Sequence, residues 1–233
     1  MFSLLSNPAL ISSVVESSIV TNGLTSFLDA YNPKSWAALS SSYYWKNLAT
    51  GGNNGALHAF ISTYPSFNGN FLTTTQSAYV SNFCSDYRLG VSTIMYAGRY
   101  YSGSNRGRLL TSTSPPTTNW LLGTYSSQTT CFYNNHAFVS SGGPNDMNWR
   151  IYTATCDVPN NNYRFYVNGT FASSSTAAGG QGPSTDLQIG NGNGGGGQEP
   201  ADGQVSFLLA YNRLLSDAEI LQNYNAMRGR VGL

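Results

Sequence analysis

The segment around Tyr163 to Ala172, NYRFYVNGTFA, restricts the fold of this chain more than any other. Two runs rich in aromatic and β-branched residues flank Asn168-Gly169, and Asn-Gly is the pair best suited to the two positive φ angles of a type I′ turn. A β-hairpin is therefore expected, with Asn168 and Gly169 in structural roles. Upstream, NWRIYTATCD alternates like a further strand, and Val205 to Tyr211, VSFLLAY, is an apolar run of the kind found in strands buried on both faces. From Leu24 onward GLTSFLDAYNP, GGNNGALHAFIS and RLGVSTIMYAGRYYSG repeat the pattern of short apolar runs bounded by turn residues. This predicts a sandwich or barrel of many strands. Between the Asn168-Gly169 hairpin and the VSFLLAY run, Gly190 to Gly203 (GNGNGGGGQEPADG) reads as a loop.

Composition agrees with an all-β chain. Charged residues are 9% of the 233, against about 25% in an average soluble domain. Polarity comes from Ser, Thr, Asn, Gly and Tyr, which suit strands and turns rather than helices. Hydrophobic residues at 40% and aromatics at 13% supply a large core, and the length fits one main domain. One helix is expected, from Asp217 to about Met227. Ser216 is its N-cap and Glu219 completes an S-x-x-E capping box. Arg228-Gly229-Arg230 then places a glycine and cations at the helix end.

The net charge is +1, from 11 basic and 10 acidic residues dispersed along the chain. No basic face is implied that would neutralise many phosphates or grip an anionic membrane, so neither nucleic acid nor membrane is an expected partner. Such weak charge gives little protection against self-association, and a homo-oligomer is expected. Cys84, Cys131 and Cys156 cannot all pair within the chain and lack zinc-site spacing. Buried thiols are the expectation, with one bridge left open. The first residues lack the basic n-region of a signal peptide, and Pro8 and Glu16 interrupt them. Residues 1–22 are instead read as an N-terminal arm with near-helical spacing of Leu10, Ile11, Val14, Val15 and Ile19, and residues 23–233 as the domain. The arm either packs on its own domain or docks on a neighbouring subunit.

Three stretches resemble the concanavalin A-like lectin/glucanase superfamily, in its laminin G-like branch. Gly23-Leu24 through Asp29-Ala30, Asn32-Pro33, then Trp45-Lys46-Asn47-Leu48 and Gly51 to Leu57 are similar to the opening strand and Trp–Gly–Asn loop. Asn148-Trp149 and Tyr166-Val167-Asn168-Gly169 are similar to the central hairpin. Asp202-Gly203, Ala210 to Ile220 and Asn223-Tyr224-Asn225-Ala226 are similar to the last strand and helix. The resemblance covers about residues 23–57 and 145–233. It implies a two-sheet antiparallel jelly-roll sandwich with a short C-terminal helix, with Gly203, Ser216 and Glu219 among its structural residues. The closing NYNAMRGRVGL resembles structural proteins of phages and other viruses. That points to a virion location, assembly in the host cytoplasm, and capsid or tail proteins as partners.

Function does not follow from fold, so the chemistry has to be sought in residues. Glycoside hydrolysis needs two carboxylates placed across a sugar, and no E-x-D-x-x-E cluster is present. His58, His136 and Cys131 lack the surroundings of a nucleophilic site. Glu199 and Asp202 could join loop carbonyls around calcium, but the loop lacks a dense oxygen pattern. No catalytic residue, metal or cofactor is therefore assigned. Asn168-Gly169-Thr170 is formally a glycosylation sequon that the hairpin already explains.

Aromatic rings are the remaining ligand signal. Trp36, Tyr43, Tyr44, Trp45, Tyr100, Tyr101 and Trp120 sit near turn-rich segments. Rings of this kind stack on sugars, although core and interface packing is their commoner fate. Of these, Trp36, Tyr43, Trp45, Tyr100, Tyr101 and Trp120 are carried forward as carbohydrate-binding candidates. Arg99, Arg106 and Arg108 supply forked donors, or else are solvated. The resulting expectation is a non-enzymatic virion structural or decoration protein whose exposed loops are candidates for host-surface glycans. The alternatives are a carbohydrate-binding or adhesion module outside a virion and, less favoured, a glycan-cleaving enzyme.

Overall fold

Asn168 (φ 50°) and Gly169 (φ 73°) both adopt the left-handed conformation that the hairpin demands. In the computed structural model, which describes residues 18–36, 44–50, 55–59, 66–75, 78–81, 90–101, 107–112, 118–125, 129–135, 138–140, 147–183, 187–190 and 199–233, they join β13 (Asn162–Val167) to β14 (Thr170–Ser175). The Asn168 Oδ1 atom also accepts from the Ile151 amide at 2.9 Å, tying the turn to β12 (Arg150–Asp157). NWRIYTATCD therefore forms the strand its alternation predicts.

The other strands, in chain order, are β1 (Leu24–Asp29), β2 (Tyr44–Trp45), β3 (Gly55–Ala59), β4 (Ser66–Phe67), β5 (Leu72–Thr74), β6 (Ala78–Ser81), β7 (Val91–Tyr100), β8 (Leu110–Ser112), β9 (Trp120–Tyr125), β10 (Thr129–Asn134), β11 (Phe138–Ser140), β15 (Leu187–Ile189) and β16 (Gly203–Tyr211). Among the described residues they build two antiparallel sheets. The first runs β14-β13-β12-β7-β16-β5-β4 with β1 also on β16, and the second runs β11-β10-β9-β8-β15-β6-β3-β2. The fold is the two-sheet sandwich expected, with a short C-terminal helix, α2 (Asp217–Met227). A four-residue helix, α1 (Pro33–Trp36), follows β1.

Strand β16 organises the first sheet. One edge pairs with β7 along its length, while the other pairs with β5 over Gly203–Val205 and with β1 over Phe207–Tyr211. A bulge at Ser206 marks the change of partner. Every residue of β16 is buried, because both faces of this sheet are covered over most of its length. Val205, Leu208 and Ala210 enter the core between the sheets with Tyr96, Leu122, Phe132 and Tyr152. Phe207, Leu209 and Tyr211 enter a second core with Met95, Ala97 and Ile151, covered by Ile220 and Met227 of α2 and by Ile19 and Val20. The domain thus has three layers: sheet, sheet, and a helix with the incoming chain.

The glycine-rich loop ends sooner than its composition suggests. Gly203 already belongs to β16, and a Cβ there would collide with the Leu109 side chain, so close approach explains this glycine. Residues 191–198 lie outside the described residues.

The helix forms as its capping box dictates. Ser216 Oγ accepts from the Glu219 amide, and the Glu219 carboxylate accepts from the Ser216 amide at 2.8 Å. The same carboxylate meets Arg213 at 2.6 Å, and this guanidinium, with the Ser216 amide, pulls its pKa from 4.5 to about 2. Asp217 does more than assist the cap. It binds Arg164 in bidentate fashion (2.6 and 3.0 Å) and accepts from the Tyr166 hydroxyl at 2.7 Å, clamping the helix start to β13.

The helix end departs from expectation. Gly229 is not the left-handed cap; the chain continues in a 3₁₀ turn (Arg228–Arg230), and Gly232 takes the positive φ. Arg230 is fully buried and pairs with buried Asp29 at 2.8 Å. A cation read as a dipole partner is therefore a strut to β1. Of the arm, residues 1–17 lie outside the described residues. Its end packs on the domain: Val20 donates to Asn223 Oδ1 and its carbonyl accepts from the Tyr211 hydroxyl.

Candidate functional site

Three of the aromatic candidates are unavailable to any ligand. Trp45, Trp120 and Tyr100 are buried in the inter-sheet core, because they fall on inward positions of β2, β9 and β7 and large rings fill the space between sheets. Trp120 packs edge-on against Phe132, and the Tyr100 hydroxyl donates to the Gly107 carbonyl. Tyr101 is solvent-exposed, at 37% of its surface. Trp36 ends α1, its side chain outside what is described, and Tyr43 lies outside the described residues.

The structure assembles a different aromatic site. Along β7, Met95 and Ala97 face α2, and alternation places Arg99 on the same outer face two residues beyond the covered region. In register across the sheet stand Gln204 of β16, Thr73 of β5 and Ser66 of β4. Arg99 Nε donates to Gln204 Oε1 at 2.8 Å, and Gln204 Nε2 donates to Thr73 Oγ1 at 3.4 Å. Two rings flank this polar ladder. The Arg99 guanidinium lies 4.8 Å from the Trp149 ring and 5.7 Å from Phe71, whose centroids are 5.7 Å apart. Arg99, Phe71 and Trp149 are each half-buried, so they are held and yet reach solvent.

Local sequence explains how each ring is placed. The Asn68 side chain accepts from the amides of Asn70 and Phe71, and the Asn68 amide donates to the Phe71 carbonyl. This Asx turn, with Gly69 at φ 93°, closes the β4–β5 hairpin and fixes Phe71 at its exit. Trp149 enters β12 one residue before Arg150, on the same face as Ile151. The signal SFNGNF, a turn dipeptide between aromatic residues, was present in the sequence. Nothing in the chain order pairs it with Trp149, which is brought near only by the strand order β12-β7-β16-β5.

The other chemical candidates are otherwise engaged. Arg108 is not solvated: it is buried, paired with Glu199 at 2.7 Å and bonded to Asn119. Glu199 therefore already has a cation, which argues against calcium there, and among the described residues no cluster of three His, Cys, Asp or Glu could hold a metal. Cys131 and Cys156 are free and buried, and burial pushes both thiols up to about 12, so neither is a nucleophile at neutral pH. Cys84, Arg106 and His136 lie outside the described residues, as does the His58 side chain. A cleft of about 380 Å³ beside β1 is lined by Ile19, Leu24, Phe27 and Leu48 together with Thr21, Lys34 and Thr50. It offers few of the convergent polar groups that orient a sugar.

Comparison with known proteins agrees with the fold. A family model described as concanavalin A-like lectin/glucanases superfamily matches residues 91–221, more than half of the chain. No curated protein matches it. Among solved structures, domain 4 of AbnA, a GH43 extracellular arabinanase from Geobacillus stearothermophilus in complex with arabinotriose, is similar over 88% of this chain and all of that one. The TM-score is 0.58 and the identity 10%. Trypanosoma rangeli sialidase in complex with sialic acid is similar over 98% of this chain, with TM-score 0.61 and 13% identity. There the match spans only 40% of the sialidase. Neither neighbour is a virion protein, and at these identities they speak for the fold alone.

Proposed function

The chain belongs to the concanavalin A-like lectin/glucanase superfamily, and on that premise we propose that it is a non-enzymatic carbohydrate-binding module of adhesion type. The observation that carries the reading is the Phe71–Arg99–Trp149 platform beside the Gln204–Thr73 ladder. A sugar ring presents an apolar face for stacking and hydroxyls around its rim, and the platform offers aromatic surface next to guanidinium, amide and hydroxyl groups. Tyr101, exposed two residues beyond Arg99, extends the same end of the sheet. The similarity to an arabinanase domain in complex with arabinotriose supports a saccharide as the ligand.

The test is a glycan array probed with the full chain and with Trp149→Ala. Binding to a set of saccharides that the folded variant loses is the expected result. Binding that Trp149→Ala retains would move the site elsewhere, and no binding to any saccharide would overturn the reading.

A second reading, a virion structural or decoration protein, rests on the closing sequence motif and on the anchorage of Val20 between Asn223 and Tyr211. That anchorage fixes where residues 1–17 join the domain. Particles from the source would carry the chain in stoichiometric amount, and deletion of residues 1–17 would release it. Absence of the chain from particles would end this reading.

A further inference from the structure

Among the described residues several arginines meet a carboxylate: Arg108 with Glu199, Arg164 with Asp217, Arg213 with Glu219, and Arg230 with Asp29. Arg99 is held as firmly but by neutral groups. Two neighbouring rings, Phe71 and Trp149, pack against its guanidinium, and Gln204 takes its Nε. Among the described residues no carboxylate reaches it and its two terminal nitrogens have no hydrogen-bond acceptor. Asp202, the residue before β16, lies beside Tyr101, whose amide donates to the Asp202 carbonyl, and its charge helps to raise that hydroxyl. Partial burial alone affects the Arg99 titration, lowering it with no anion drawing it back up.

A planar fork fixed at one end, with two parallel N–H donors open at the other, matches one ligand chemistry better than any other. A carboxylate accepts from both terminal nitrogens in bidentate geometry, and Arg is preferred over Lys where such recognition is needed. The neighbours reinforce this choice. The paired rings shield one side of the guanidinium from water, which strengthens an ion pair formed at its free end. They also leave stacking surface for the rest of the ligand.

Resting on the reading above that the platform binds saccharides, we propose that its ligands are acidic sugars, with the sugar carboxylate seated on the terminal nitrogens of Arg99. Phe71 and Trp149 hold the guanidinium in plane and contact the sugar ring, while Gln204 fixes the fork and Thr73 and Ser66 face the hydroxyls.

The experiment uses the full chain against paired saccharides: oligogalacturonate, glucuronate-terminated and sialylated glycans, each beside its carboxyl-reduced form, with sulfated galactans as a separate arm. The expected result is binding to at least one carboxylate-bearing glycan, weakened roughly 10- to 100-fold by reduction of the carboxyl, the loss typical of a charged hydrogen-bonded contact. Arg99→Gln should lose far more on the acidic glycan than on its reduced form, so that the preference for the carboxylate disappears. Arg99→Lys, which keeps the charge and loses the fork, should fall between them. Thermal unfolding of each variant separates loss of binding from loss of fold. Equal affinity for acidic and reduced forms, or preference for sulfated glycans, overturns the acidic-sugar inference and leaves the carbohydrate-binding reading standing. Failure to bind any saccharide overturns both.

Discussion

The outer face of the first sheet is divided at the Ser206 bulge into two regions built from the same strands. On one side Met95, Ala97, Ile151, Phe207, Leu209 and Tyr211 lie beneath α2 and the incoming chain. On the other side Arg99, Gln204 and Thr73 continue the same rows, with Phe71 and Trp149 as flanks and no helix over them. One half is an interior and the other a surface, and the side chains change from aliphatic to polar within two residues of β7. The covered half spends its charges on itself. Arg230, Arg164 and Arg213 each close onto a carboxylate, whereas the open half leaves Arg99 available. Stability and recognition are thus assigned to different halves of one surface.

That division predicts that substitutions in the covered half cost stability and those in the open half cost binding. The largest loss should come from Arg230→Met. It leaves Asp29 charged and buried without its partner, a change that costs about 3–5 kcal/mol, to be read from denaturant unfolding. Gly169→Val should follow. It forces a β-branched residue to positive φ and drives a Cβ to within 2.7 Å of the Tyr224 ring. Strain and overlap together should cost about 2–4 kcal/mol, seen in the same unfolding curves. A neutral result would show that the hairpin and helix can separate without cost, and the covered half would cease to be one unit.

Smaller effects sharpen the comparison. Ser216→Ala removes the cap and should cost about 1 kcal/mol in the same assay. The pH dependence has a definite sign. The Glu219 pKa is depressed on folding from 4.5 to about 2 by Arg213 and the Ser216 amide, so its contribution is complete above about pH 4.5 and is lost as pH falls toward 2. Asp217, lowered by Arg164, acts in the same direction. Unfolding midpoints should therefore fall with acidity below about pH 4.5, and Glu219→Gln should flatten part of that slope. The smallest stability change belongs to Arg99→Gln. Loss of its exposed cation–π contacts should cost no more than about 1 kcal/mol. If it unfolds the protein as Arg230→Met does, the two halves do not differ in the way described.

Legibility in the sequence followed the range of the interactions. Asn168-Gly169, the Ser216–Glu219 box and the apolar run of β16 each declare themselves within a few residues, and all three stand in the structure as read. The aromatic candidates did not declare themselves. Trp45, Trp120 and Tyr100 have the composition of a sugar site but the positions of core residues. A tryptophan beside a turn is read the same way whether its strand faces inward or outward. Arg108 looked like a solvated cation and Arg230 like a helix-end cation, since their partners Glu199 and Asp29 are far away in the chain.

The sequence by itself determined that the chain is β-rich, where its central hairpin turns, where its last helix begins and which strand must be buried on both faces. These depend on local backbone geometry and on the two-residue period of a strand. Only the tertiary structure decided that Phe71, Arg99, Trp149 and Gln204 share a face, because that depends on strand order and on a bulge that switches partners in mid-strand. It also decided which charges are spent. An ion pair is a property of distance in space, and residues 29 and 230 become neighbours only after the sheet and the helix have formed.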